Sequence, residues 1–327
     1  MPRLLLLVGI AMMAMQLASL PWFAQIGLSA LVLAILLGIM AGHIWQSPPD
    51  IFGQKVTRFC QQRCLRFGII LFGLSLSFQQ IAAVGWQAVI LNICIISMII
   101  IVGLWVGIRW LGLPRDVVIL ISAGSAICGA AAILATDSTL KAKQQQVTVA
   151  VATVVIFGTL AMFSYPFIFP YAGMSDALFG IYIGSTVHEV AQAVAAGQSI
   201  SPDALNHAVI TKLIRVMLLA PFILILGSIL TRHNQTAEQG GTTFVIPWFV
   251  LGFIAMAAIN SLWEVPLLLK QNAALLSQFL LALAMAALGM QTRWCLLREA
   301  GTKPILLALV LFMMLIGGGW LLNSWII

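Results

Sequence analysis

The sequence predicts an all-α polytopic membrane protein of about ten or eleven transmembrane helices, arranged as inverted repeats with discontinuous helices at the membrane midplane. Three observations carry this. The 327 residues are 62% hydrophobic and only 8% charged, with a mean hydropathy of +1.08, whereas soluble domains carry about 25% charged residues. Apolar windows of about 20 residues, enough to cross a hydrocarbon core of roughly 30 Å, recur along the whole chain. Glu189 is the only one of nine acidic residues set deep inside such a window. Asp50, Asp116, Asp137, Asp176, Asp203, Glu238, Glu264 and Glu299 fall in loops or at helix ends. A single integral membrane domain therefore fills 1–327.

The windows are 4–20, 25–45, 67–84, 86–110, 116–139, 145–170, 177–197, 205–231, 244–262, 273–292 and 303–326. The first follows Arg3 as a signal peptide would. A second apolar window comes almost at once and the cleavage site is poor, so 4–20 reads as a transmembrane helix. Segment 46–66 is less apolar. Phe52, Val56, Phe59 and Cys60 recur at helical spacing opposite Lys55, Arg58 and Arg63, which suits either a basic amphipathic helix on the cytoplasmic face or an ordinary basic loop. Gly240-Gly241 marks a flexible loop. With the N-terminus inside, Arg3, Lys55, Arg58, Arg63, Arg66, Arg109, Arg115, Arg232, Arg293, Arg298 and Lys303 are cytoplasmic, 11 of 16 basic residues. Lys141, Lys143 and Lys270 fall outside, and Lys212 and Arg215 lie within a window. That bias favours a cytoplasmic N-terminus and accounts for the net charge of +7 without nucleic acid.

Two windows carry small residues at mid-span. Segment 116–139 holds Ala123-Gly124-Ser125-Ala126-Ile127-Cys128-Gly129-Ala130-Ala131-Ala132. Segment 177–197 holds Gly184-Ser185 followed, seven residues after the Gly, by the same Ala-x-x-x-Ala spacing. Such runs permit close helix packing, but polar residues gathered at the same point favour unwinding. Segment 116–139 and either 177–197 or 273–292 are expected to be discontinuous. Re-entrant hairpins at 116–139 and 177–197 are the alternative, and would bring Lys141 and Lys143 to the cytoplasmic side. Gly73-Leu74-Ser75-Leu76 through Ile81 and Gly85 aligns without gaps on Gly289-Met290-Gln291-Thr292 through Leu297 and Gly301, an offset of 216 residues. Copies seven windows apart run in opposite directions, as in the inverted repeats of secondary transporters. A five-plus-five repeat, pairing windows 2–6 with 7–11, stays open.

The candidate chemistry gathers at a few positions. His188 and Gln192 share one helix face, and Thr186 and Glu189 share another. A carboxyl in low dielectric holds its proton closer to neutrality, where imidazole titrates already. The pair could carry a coupling proton; a structural His–Glu pair locking two helices is the plain alternative. Lys212 and Arg215 lie seven and ten residues into 205–231, about 10–15 Å along the helix. Snorkelling is one reading, better suited to Lys212. An anion site is the other, because Arg offers a fork to sulfate, sulfonate or carboxylate and helix N-termini add to it. Ser125, Ser185 and Asn260-Ser261 supply neutral hydrogen bonds. His43, His207 and His233 read as interfacial or loop residues.

The enzyme classes fall away. Cys60, Cys64, Cys94, Cys128 and Cys295 show no zinc spacing and read as free thiols, so neither metal nor cofactor is expected. No phosphate-binding GxxxxGK[ST] run is present. His188-Glu189 begins like HExxH, but residue 192 is Gln. Ser125 with His188 is a weak mimic of an intramembrane hydrolase.

Three segments, Ala126-Ile127-Cys128-Gly129-Ala130, His188-Glu189-Val190-Ala191-Gln192 and Lys212-Leu213-Ile214-Arg215-Val216, resemble the signatures of YeiH-type inner-membrane proteins, a family labelled as sulfate exporters. The copies at Gly73 and Gly289 sit where that family has them, and the resemblance covers essentially the whole chain. Where the family commonly has Ser after Cys-Gly-Ala, this chain has Ala131, so no hydroxyl is essential there. The resemblance implies a bacterial plasma-membrane protein related to bile-acid:sodium symporters and sodium/proton antiporters, whose broken helices cross at the midplane. The expected function is a secondary transporter, exporting or exchanging a small anion such as sulfate or an organosulfonate, coupled to H⁺ or Na⁺. A homodimer is left open, and a non-transporting scaffold or subunit is the alternative. The expected site comprises Ser125, Cys128, Gly129, Ser185, Thr186, His188, Glu189, Gln192, Lys212, Arg215 and Asn260.

Overall fold

The computed structural model describes residues 2–20, 29–44, 51–233, 248–263, 265–292 and 301–327. Asp50, Arg293, Arg298, Glu238, Glu264, Glu299, Cys295, Gly240-Gly241, residues 25–28 and 45 of the second window, 46–50 of the basic segment and 244–247 of the ninth window lie outside the described residues. The described chain is all-α, with no strand among its elements. Five of its helices are long and apolar enough to cross a membrane: Val84–Trp110, Gln144–Tyr171, Pro202–Ile229, Leu267–Gln291 and Thr302–Ile326. With the shorter apolar helices they make a polytopic membrane protein.

One bundle packs α1 (Pro2–Ala18), α2 (Ala30–Ile44), α3, α12 (Trp248–Leu262) and α13 (Leu267–Gln291). Here α3 runs from Ile51–Phe59 through a π-helical turn, Cys60–Cys64, into Leu65–Phe72 and a 3-10 turn at Gly73–Ser75. The basic amphipathic helix among the alternatives for 46–66 thus runs on from Ile51 into the window expected at 67–84, which itself ends in the turn before Phe78. The helix is continuous, because Cys60, Cys64 and Gly68 form a narrow buried face that lets α13 approach; Ser277 Oγ donates to Gly68 O at 2.7 Å. Lys55, Arg58 and Arg63 stay exposed on the other side.

The second bundle contains α4 (Phe78–Leu104, extended by a π-helical stretch Trp105–Trp110), α5 (Arg115–Ala126), α6 (Ala130–Leu140), α7 (Gln144–Ile168), α8 (Asp176–Thr186), α9 (Val190–Gln198), α10 (Pro202–Met217), α11 (Leu219–His233) and α14 (Thr302–Ile326). Segment 273–292 lies within the unbroken α13, whereas 116–139 and 177–197 are each broken, at 127–129 and 187–189.

Both broken segments turn back rather than cross. Gly107 sits beside both Val118 and Leu307, so the end of α4 and the starts of α5 and α14 share one face. The end of α14 reaches the other face, where Asn323 Nδ2 donates to Leu178 O of α8 at 3.3 Å. Phe169, just past α7, meets Phe179 of α8 at 5.1 Å between ring centroids, so α7 ends on that far face and begins on the near one. The chain between α5 and α7 therefore enters and leaves on the near face. For the second hairpin, Gly180 and Gly197 both press on Ala204 at the start of α10. Helices α8 and α9 thus enter and leave on the far face.

The predicted repeat is present in the backbone. Gly85 (φ 70°, ψ 177°) opens the long part of α4 and Gly301 (φ 80°, ψ 160°) opens α14, a conformation open essentially to glycine alone. The same offset of 216 carries Gly103, which packs on Ser122 of the first hairpin, to Gly319, which packs on Thr186 of the second. Arg3, Lys55, Arg58, Arg63, Arg109, Arg115, Lys141, Lys143 and Lys303 lie toward the near face, and Lys270 opens α13 at the far one.

The hairpin topology is open to labelling from one side. A cysteine replacing Lys143 should react with a membrane-impermeant maleimide from the same side as one replacing Lys303, and one replacing Ser199 from the opposite side. Reaction of the Lys143 position from the Ser199 side would mean that 116–139 crosses.

Candidate functional site

The two hairpin tips meet inside the second bundle, and α10 ties them together. A helix leaves its last carbonyls without partners and a partial negative charge at that end. In lipid no water satisfies them. Lys212 and Arg215, both 0% exposed, do so here. Lys212 Nζ donates to Ile127 O at 2.9 Å and to Val187 O at 2.5 Å. Arg215 donates through Nε to Ala126 O at 2.6 Å, through Nη2 to Ser125 O at 2.7 Å and through Nη1 to Val187 O at 3.2 Å. Val187 O, at the end of α8, accepts from both cations, while the end of α5 takes the rest. Hydrogen bonds to charged groups are worth about 1.5–3 kcal/mol each, which offsets part of the several kcal/mol that each buried ion costs.

The opposite ends of the helices receive the carboxylate. Glu189 is the N-cap of α9, and its N–H donates to Gln192 Oε1 at 3.1 Å. Its Oε1 faces the N–H of Ala130, the first residue of α6, at 3.4 Å, long for a hydrogen bond. The side chain fits because Gly129 (φ 67°, ψ −133°) carries none: a Cβ there would collide with the Glu189 side chain. Among the described residues the one ion pair within 4 Å is His207–Asp203. Glu189 makes none with Lys212 or Arg215, so the three charges act through helix ends rather than as a salt bridge.

The remaining expected residues sort by place. Cys128, Gly129 and His188 are buried at the tips; His188 Nδ1 and Ser125 Oγ have no hydrogen-bond partner. Gln192 Nε2 donates to Val155 O and to Thr159 Oγ1, both at 3.4 Å, fastening the second tip to α7. Ser185 Oγ donates to Tyr182 O within α8. Thr186 accepts from Tyr165 OH at 2.9 Å, on the side facing α7. Asn260 is not at this site: its Nδ2 donates to Leu76 O in the first bundle at 3.0 Å, closing the turn after α3. The sequence reading missed Asn92, an amide inside the apolar window 86–110. It is 0% exposed, lies against Thr211 O at 3.4 Å, and leaves its Oδ1 without a partner. A cavity of about 160 Å³ lies apart from the tips, between the bundles, against Phe72, Ser75, Gln198 and Ser277.

Fold and site define a polytopic helical membrane protein whose two re-entrant hairpins share a buried junction of two cations and one carboxylate. The chain belongs to the family described as Conserved hypothetical protein 698, whose model matches residues 2–308. It is 46% identical over 337 residues to a UPF0324 membrane protein of Yersinia pestis, covering 99% of this chain and 92% of that one. It is 47% identical over 329 residues to the UPF0324 inner membrane protein YeiH of Escherichia coli K12, covering 98% and 93%. A UPF0324 membrane protein of Pseudomonas aeruginosa is 44% identical over 329 residues, with coverage of 98% and 93%. No solved structure matches. The resemblance to YeiH-type inner-membrane proteins is thereby borne out.

Gly129→Ala tests the fit at the first tip. Strain at that backbone position costs about 1–3 kcal/mol, before the clash with Glu189 is counted. The purified variant should melt several degrees lower than the parent, whereas Gly317→Ala, in open space on α14, should not.

Proposed function

We propose that this chain is a secondary transporter of the bacterial inner membrane, exporting or exchanging a small anion such as sulfate or an organosulfonate, coupled to H⁺ or Na⁺. The observation that carries the reading is the tip junction: two fully buried cations and one carboxylate where hairpins from opposite faces meet. Irregular backbone at membrane depth is tolerated where it is buried in protein or lines a pathway. Ionisable groups there mark ion and substrate routes. The two cations outnumber the carboxylate, which favours an anionic cargo. The basic residues toward the near face favour a cytoplasmic near face and N-terminus. No step of bond chemistry is needed, so the chain is read as a transporter and not an enzyme.

Proteoliposomes loaded with sulfate or methanesulfonate, with and without a pH gradient, test the reading. Glu189→Gln keeps shape and hydrogen-bonding capacity but removes the titration, so flux driven by the pH gradient should collapse while the protein stays monodisperse. Arg215→Lys keeps the charge but loses the fork, and with it bonds to the end of α5, so the half-saturating anion concentration should rise more than expression falls. If both variants merely lower thermal stability and the surviving protein transports normally, the junction is structural.

A further inference from the structure

We infer that Glu189 is a tethered anion: its carboxylate occupies the seat that the transported oxyanion takes, so the junction holds either the ionised side chain or the substrate. This rests on the anion-transport reading and adds how proton and anion are coupled.

Four features of the junction support it. The carboxylate stands before the first N–H of α6, an 11-residue helix, where helix polarity favours any small anion. No ion pair within 4 Å holds it, and its contact with the N–H of Ala130 is long, at 3.4 Å. Lys212 and Arg215 are sealed at 0% exposure, whereas Glu189 is partly exposed and the first turn of α6 opens outward at Ala131. Glu189 and the first turn of α6 are thus the open side of the junction, and the two cations its closed side.

The junction has more donors than the helix ends use. A lysine has three N–H donors and an arginine five. Two of Lys212 and three of Arg215 are committed to carbonyls, leaving one and two. His188 Nδ1 and Ser125 Oγ, each on a residue 1% exposed, have no partner either. With Glu189 ionised, the two cations and one carboxylate sum to a single positive charge. With Glu189 protonated they sum to two, and the neutral side chain no longer competes. A tetrahedral oxyanion of one or two charges, sulfate or sulfonate, suits such a site. Proton and anion would then travel together, or the carboxylate would return to its seat once the anion leaves.

The titratable groups that interact across the junction are Glu189, Lys212 and Arg215 of α10, Cys128 of the first tip, His188 beside Glu189, and Tyr165 of α7, which acts on Arg215. Helices α2 and α13, which also touch α9, carry only His43 and Lys270, each toward a helix end.

The test is sulfate binding to the purified full-length protein, by titration calorimetry and thermal shift, across about pH 5.5 to 8.5, where sulfate itself stays dianionic. The wild-type protein should bind about tenfold more weakly per pH unit above the Glu189 titration. Glu189→Gln should bind at every pH with the affinity that the wild type shows only at low pH. A flat wild-type profile overturns the inference. So does a Glu189→Gln affinity below the wild-type low-pH value, which would make the side chain an ally of the anion. Should that variant fail to fold, Glu189→Ala is measured over the same range: loss of the pH dependence supports the inference, and a profile like the wild type's overturns it. If neither sulfate nor methanesulfonate binds at any pH to either protein, the anion reading itself falls, an outcome distinct from a flat profile with binding.

Discussion

Two cations on one helix hold together four half-helices that would otherwise end in apolar surroundings without partners. Lys212 and Arg215 cap the carbonyl ends of α5 and α8, and Glu189 stands at the amide ends of α6 and α9. Each side of this arrangement solves the other's problem. Broken helices in a membrane need charges at their ends, and buried charges need fixed dipoles around them. The close approaches at Gly103, Gly184 and Gly319 bring α4, α10 and α14 near enough for the tips to meet.

The charges are unevenly shared between the repeats. Gly124-Ser125 and the break at 127–129 recur as Gly184-Ser185 and the break at 187–189, an offset of 60. Gly129 of the first tip thus corresponds to Glu189 of the second, and the missing side chain of one makes room for the carboxylate of the other. Similarly, Gly124 packs on Val154 of α7 where Gly184 packs on Thr211 of α10. Of these two helices, α10 carries cations and α7 carries none. The second hairpin belongs with α14 as the first belongs with α4, although α14 comes last in the chain. The repeats are therefore circularly permuted, and one of them owns all three charges.

Much of this was legible in the sequence, for physical reasons. A lone acid in an apolar window, and two cations one turn apart in another, stand out because membrane interiors penalise them. The small residues at 123–132 and the polar run 184–192 marked two windows as prone to break, with 273–292 left as an alternative to the second. Crossing and turning back were not separable, because 115–140 has the same length and hydropathy either way; the reversal depends on where α7 must begin. The basic face of 51–66 hid a continuous helix, since its buried side uses Cys60, Cys64 and Gly68 rather than large apolar residues. Asn260 looked like a site residue because its amide can supply hydrogen bonds, but satisfying a turn carbonyl is an equally good reason for a part-buried amide. The unpartnered amide oxygen of Asn92 is a feature only packing reveals.

The most direct measurement is the location of selenate, which shares the charge and shape of sulfate, by anomalous scattering from crystals grown at low pH. The expected result is one dominant peak between the hairpin tips, within hydrogen-bonding reach of Lys212 or Arg215 and of the α6 N-terminus, with Glu189 turned away. A dominant peak in the cavity between the two bundles, with Glu189 still seated at Ala130, would contradict it.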